Sequence, residues 1–224
     1  MADENKFLTI EGGVVTGCDK SATEIAIPEG VTEIGEDAFC DCRSLAGITI
    51  PEGMTVIGAG AFSGCQSLAS ITIPNSVKKI GEGAFFECKS LAEITIPDSV
   101  TEIGEKAFEG CESLAGITIP NGVTEIGTNA FASCESLTSI TIPDSVTKIG
   151  FGAFQRCQSL AGITIPDSVT EIGAWAFKAC ESLADIRFGG TESQWKAVEK
   201  GKDWNSGVPA STVHCTDGET QLTR

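Results

Sequence analysis

Cys42, Cys65, Cys88, Cys111, Cys134, Cys157 and Cys180 stand 23 residues apart, and the same step carries Leu45 to Leu183, Ile48 to Ile186, Phe39 to Phe177 and Pro28 to Pro166. A fixed period of this size is the signature of stacked repeat units. Counted from Ser21, seven complete units run to Glu181 and cover 161 of the 224 residues. An eighth begins at Ser182 and leaves the pattern after Ile186.

One unit, Ser90 to Glu112, reads SLAEITIPDSVTEIGEKAFEGCE. Ile94 and Ile96 alternate with Thr95, which predicts a short strand with the isoleucines inward and the threonine outward. Pro97 has no N–H to extend a ladder and ends that strand. Val100-Thr101-Glu102-Ile103 is β-branched enough for a second short extended piece, and Gly104 is expected to take the positive φ that closes the following turn. Glu105 to Glu112 is too short for an isolated helix, so a helical turn or two packed on the strands is expected there. Eight apolar side chains on 23 residues make an open slab that closes only when neighbours stack on it. The expected fold is therefore a quasi-one-dimensional solenoid, an α/β-type repeat with a curved parallel sheet, short helical turns and terminal caps. At about 4.8 Å per parallel strand, seven units span roughly 30 to 35 Å.

The pattern C-x-S-L-x-x-I-T-I-P-x-x-V-T-x-I-G-x-x-A-F resembles the 23-residue leucine-rich repeat of the BspA-like, Treponema-type family of bacterial surface and secreted proteins. Phe7-Leu8-Thr9-Ile10 and Gly13-Val14-Val15-Thr16-Gly17 resemble the amino-terminal cap of that family, and Trp195 to Gly218 its carboxy-terminal cap. The resemblance implies a solenoid that presents a surface to an extracellular protein or glycan, with a secreted or cell-surface location. Cys18 departs from it, since an aromatic such as Tyr is expected there. The low drift between units points to recent duplication or to a consensus design.

Three segments follow: a cap over residues 1–20, the solenoid over 21–188 and a second cap over 189–224, together one structural domain. The caps have a physical task, because open slabs and strand edges aggregate if left bare. Thr191-x-x-Gln194 fits a capping box, Gly201 is placed to end the helix, and Trp195 is expected in the core with Trp204, Val208 and Val213 completing the lid. Met1-Ala2-Asp3-Glu4-Asn5-Lys6 is not a signal sequence, and no stretch approaches the apolar length of a membrane span.

Composition narrows the function. With 15 Lys and Arg against 31 Asp and Glu, the net charge of −16 repels phosphate backbones and acidic lipid headgroups, so neither nucleic acid nor membrane insertion is expected. One His and no Tyr leave little general acid–base chemistry, and no enzyme is expected. His214 and Cys215 are adjacent on an extended segment and face opposite ways, so they are not a dyad. The seven periodic cysteines read as a buried column of small apolar thiols, with no C-x-x-C pair and no gathered zinc ligands. Gly58-x-Gly60 and Gly81-x-Gly83 superficially resemble phosphate loops, but the first glycine of each recurs as a turn residue. No cofactor or metal is expected.

Two threonine columns, one through Thr49, Thr95 and Thr164 and the other through Thr32, Thr101 and Thr170, offer hydroxyls on what should be different faces, whereas ordering ice takes adjacent ranks. Glu29, Glu52, Asp98, Asp144 and Asp167 set oxygens at the period, and most are expected to be solvated turn residues rather than Ca²⁺ ligands. The informative columns are the variable ones, the two residues after Ile-Gly and the two after Ala-Phe. They hold Phe86, Phe151 and Trp175 at positions outside the repeat core, with Arg156 and Lys178 in the same set of columns. Exposed rings with nearby cations make a candidate recognition patch on units six and seven, with Phe86 further along. The alternative is that these rings fold down over the next unit as extra packing.

Overall fold

The computed structural model describes residues 6–222. Strand β1 (Leu8–Glu11) and strand β2 (Val14–Cys18) form an antiparallel hairpin. Its turn places both Gly12 and Gly13 at positive φ, 57° and 83°, the backbone twist a two-residue hairpin loop needs. Val14 and Val15 then pair in parallel with Glu33 and Ile34, which sets the hairpin on the first unit.

Each unit contributes two short strands. The first, Glu93–Thr95 in the central unit, pairs in parallel with Ser70–Thr72, and the second, Glu102–Ile103, pairs with Lys79–Ile80. Ile94 and Ile96 are buried and Thr95 is exposed, as the alternation requires. Backbone bonds continue between the strands: Lys78 N–H donates to Thr55 O, and Thr101 N–H to Lys78 O. The chain thus winds as a coil in which successive turns are hydrogen-bonded along most of their length.

The segment after the second strand is not helical. Ala107, Glu109 and Cys111 N–H groups close turns on Gly104, Lys106 and Phe108, while Lys106, Phe108 and Gly110 N–H groups donate to Thr128, Ala130 and Ala132 of the next unit. Alternate amides therefore point along the stack. Two left-handed residues per unit make this possible, Lys106 at φ 55° and Gly110 at φ 76° in the central one. A continuous helix would spend every amide within itself and leave the stack unladdered, which is why eight residues form chained turns here.

Gly104 also differs from the sequence expectation. It is not in the left-handed region, and its need is for space: a Cβ there would lie 2.6 Å from the Gly81 carbonyl carbon and 2.7 Å from Glu82 Cα. Gly58, Gly81, Gly150 and Gly173 are equally closed by the backbone of the unit before them. This glycine column lets consecutive coils touch.

Between the two sheets lies one continuous core. Phe39, Phe62, Phe85, Phe108, Phe131, Phe154 and Phe177 stack with centroids 5.0–5.6 Å apart and planes within 12° of parallel. The stack ends on Trp204, which meets Phe177 edge-on at 6.0 Å. Trp204 packs on Trp195, 2% exposed, and Trp195 on Phe188.

Helix α1 (Glu192–Ala197) starts on the expected capping box, with Gln194 N–H donating to Thr191 Oγ1 and Thr191 N–H to Gln194 Oε1. It ends before Gly201, at an extended Val198. Gly201 instead continues the close-contact column, donating its N–H to Ile172 O. With α1 as an insertion, the repeat resumes: Glu199 and Lys200 pair with Glu171 and Ile172, and Asp203 and Gly207 take the two left-handed places. Lys200 Nζ closes the helix by donating to Trp195 O and Val198 O at 2.7 and 2.8 Å, above the Trp195 ring. Burial lowers its pKa. Removing the N-cap in Thr191→Ala is expected to lower stability by about 1 kcal/mol in urea denaturation, an effect that a lid held by packing alone would not give. Among the described residues, no helix is long and apolar enough to cross a membrane.

Candidate functional site

The chained turns place the variable columns on the surface opposite the first sheet. Phe151 follows Ile149-Gly150 and Trp175 precedes Ala176-Phe177, so the sequence puts them in neighbouring columns of consecutive units. Stacking brings the two rings to 5.1 Å between centroids, with planes tilted by 47°. Phe151 is 41% exposed, the one large apolar side chain so open among the described residues, and Trp175 is half-buried.

The cations join them. Lys178 Nζ lies 4.3 Å from the Trp175 ring centroid. Arg156 is exposed, and its N–H donates to Lys178 O, so its backbone is fixed beside that lysine in the next turn. Neither side chain has a carboxylate partner among the described residues, whereas Lys79, Lys89, Lys106 and Lys148 are each paired with a glutamate. The local charge follows: residues 151–224 carry 7 Lys and Arg against 9 Asp and Glu, net −2, while residues 1–150 carry 8 against 22, net −14. Phe86 lies elsewhere, three units away, half-buried beside a shallow depression of about 450 Å³ rimmed by Glu36, Asp37, Glu82 and Lys106. Phe151, Trp175 and Lys178 gather at one place with the Arg156 backbone beside them, and Phe86 lies apart.

The sequence reading missed the backbone of Trp175. Its φ is 60°, in the column that holds Gly60, Gly83 and Gly152 at φ 56° to 59° and Asp37, Lys106 and Asn129 at φ 52° to 55°. A bulky residue in this region is held against a preference of about 1 to 2 kcal/mol. Three glycines in register with Trp175 were the available signal. The ring pair and the cation return about the same amount. Trp175→Gly is therefore expected to leave stability unchanged or raise it by about 1 kcal/mol in urea unfolding; a loss of several kcal/mol identifies the ring as packing.

The other candidates are accounted for by the scaffold. The thiols of six periodic cysteines donate to a phenylalanine carbonyl one unit back. The Thr95 column is exposed on the first sheet, whereas Thr55, Thr147 and Thr170 on the other flank donate to carbonyls of the preceding unit. The two columns do not form one hydroxyl plane. His214 is exposed and faces Glu219 across the final hairpin at 2.9 Å, with Asp185 at 3.8 Å. Among the described residues no cluster of three metal-ligating side chains occurs.

The family described as BspA type leucine rich repeat region matches residues 9–137 and 124–197, in 6 copies. Among solved structures, a leucine-rich repeat protein of T. pallidum is 31% identical, with a TM-score of 0.56 over 66% of this chain and 82% of its own. One from Bacteroides ovatus is 30% identical, with a TM-score of 0.50 over 83% of this chain and 58% of its own. The pneumococcal vaccine antigen PcpA shares the fold at 20% identity and a TM-score of 0.51, over 91% of this chain and 59% of its own. No curated protein matches the chain.

Proposed function

Since the chain belongs to the BspA-type leucine-rich repeat family, we propose that it is a non-enzymatic recognition module of a bacterial surface or secreted protein, binding an extracellular protein or glycan through Phe151, Trp175, Arg156 and Lys178. The observation that carries this reading is Trp175, a large ring held in a left-handed column that other units fill with Gly60, Gly83 and Gly152 or with Asp37, Lys106 and Asn129, beside Phe151, the most exposed phenylalanine among the described residues. Glycine, Asn and Asp suit that backbone region, and a bulky aromatic is an outlier in it. Rings that give area at low entropic cost and cations free of internal partners are the usual anchors of an interface. Phe86 stands outside this platform and is given no share in it.

The test is capture by the immobilised protein from a panel of extracellular matrix proteins, host glycoproteins and glycans, with Phe151→Ser/Trp175→Gly alongside. The platform reading expects at least tenfold weaker binding by the double variant at undiminished stability. Equal binding by both proteins removes the platform. The rival reading, a structural spacer with no ligand, is favoured if the parent captures nothing.

A further inference from the structure

Along the second sheet, consecutive units are joined by two backbone rungs that flank each short strand. Ahead of the strand Thr101 N–H donates to Lys78 O and Thr147 N–H to Thr124 O; behind it Gly104 N–H donates to Ile80 O and Gly150 N–H to Ile126 O. Between units four and five both rungs are missing: among the described residues Thr124 N–H does not reach Thr101 O, nor Gly127 N–H Ile103 O. Glu102–Ile103 and Glu125–Ile126 each pair with the unit on their outer side and not with one another. The first sheet also parts here, between Glu93–Thr95 and Gly116–Thr118. It parts at two other joints as well, but there the second sheet is continuous. A Cβ on Gly127 would lie 3.4 Å from the Glu105 backbone, against 2.8 Å or less from the preceding backbone at Gly58, Gly81, Gly104, Gly150 and Gly173. Ile103 is 8% exposed where Ile57, Ile80 and Ile149 are at 0%. A cleft of about 630 Å³ separates Thr101, Glu102 and Ile103 from Thr124, Glu125 and Gly127.

The sequence accounts for the parting. Ser99, Ser145 and Ser168 each donate a hydroxyl to a valine carbonyl of the preceding unit, at 2.6 to 2.7 Å. Unit five has Gly122 at that place, so Val100 O receives no such bond. Glycine is not there for its dihedral freedom, because Gly122 lies outside the left-handed region that Gly30 and Gly53 occupy. Glu102 and Glu125 hold the same column in the two adjoining units, and like charges there oppose closure. Each is paired with a lysine on its own side of the joint, Glu102 with Lys79 at 2.7 Å and Glu125 with Lys148 at 3.6 Å. What still joins the two units is the flank of chained turns. There Lys106, Phe108 and Gly110 N–H groups donate to Thr128, Ala130 and Ala132 at 2.8 to 2.9 Å, and Phe108 stacks on Phe131.

We infer that the joint between units four and five is a hinge. The hairpin with units one to four is one body, and units five to seven with the second cap are the other. They turn about the chained-turn flank, where the ladder is intact, and the two sheet flanks open and close. The structure shows the open arrangement. Closing it makes the two rungs that the neighbouring joints already carry, and the motion turns Phe151 and Trp175 relative to the first four units.

Amide hydrogen exchange read residue by residue by NMR on the whole chain tests this. Thr124 and Gly127 are expected to exchange about 100-fold faster than Thr101, Thr147, Gly104 and Gly150. In Gly122→Ser the new hydroxyl is placed for Val100 O and offers no partner to either amide, so slower exchange there reports closure of the joint. About tenfold slowing at Thr124 and Gly127 is expected, with the four comparison amides unchanged. In the unmodified protein, raising the salt from about 0.05 M to 0.5 M screens Glu102 from Glu125 and should slow the same two amides about threefold. Protection of Thr124 and Gly127 equal to that of the comparison amides would mean a joint closed in solution and overturns the inference. Fast exchange that does not respond to salt, or to Gly122→Ser in a folded variant, would mean a fixed gap and overturns it as well. The salt series needs no substitution, so it decides the matter if Gly122→Ser fails to fold.

Discussion

Gly104→Ala, a change of one methyl group, is expected to destabilise the protein by about 3 kcal/mol or more. Its Cβ would enter the backbone of the preceding unit, within 2.6 Å of the Gly81 carbonyl carbon and 2.7 Å of Glu82 Cα. Backbone has no rotamer with which to yield, so the two coils must separate. Separation lengthens the rungs on either side, including the bond from Gly104 N–H to Ile80 O. Gly53→Ala is the matched control. Gly53 has φ 91° and nothing within 4 Å of a new Cβ, so its cost is the backbone preference alone, about 1 kcal/mol. Urea unfolding of the two variants should separate them clearly; equal losses would mean that glycine serves only for its dihedral freedom.

Phe108→Ala is expected to cost about 3 to 5 kcal/mol. Phe108 is fully buried, stacked between Phe85 and Phe131, whose centroids are each 5.4 Å away and whose planes are nearly parallel to its own. The rings above and below are held by their own units and cannot collapse into the void. Because each unit touches only its neighbours, the loss falls on the interfaces of the central unit, and the unfolding transition should broaden or split. A single sharp transition with a loss below about 1 kcal/mol would show that the ring column does not couple the units.

The fold was legible because the period is uncorrupted: the 23-residue step of Cys, Leu, Ile and Phe dictates a stack before any local propensity is consulted. Local reading failed where stacking overrides it. Glu105 to Glu112 looks like a short helix by composition, yet its amides are drawn into the ladder between units. Gly104 and Gly201 look like turn glycines, yet both serve close approach between coils. The platform was half legible. Residues departing from the repeat core pointed to Phe151 and Trp175, but their contact depends on which columns become neighbours across units. Phe86 fits the same verbal pattern and lies three units away.

Tryptophan emission tests directly whether a partner covers the platform. Trp195 and Trp204 are 2% and 7% exposed, and Trp175 is the remaining tryptophan and the more open one. Acrylamide should quench one accessible fraction of the emission in the free protein, and that fraction should be missing from Trp175→Gly. Adding the captured partner to saturation is expected to protect that fraction. An accessible fraction that stays unchanged while the partner is bound would place the interface elsewhere and contradict the claim.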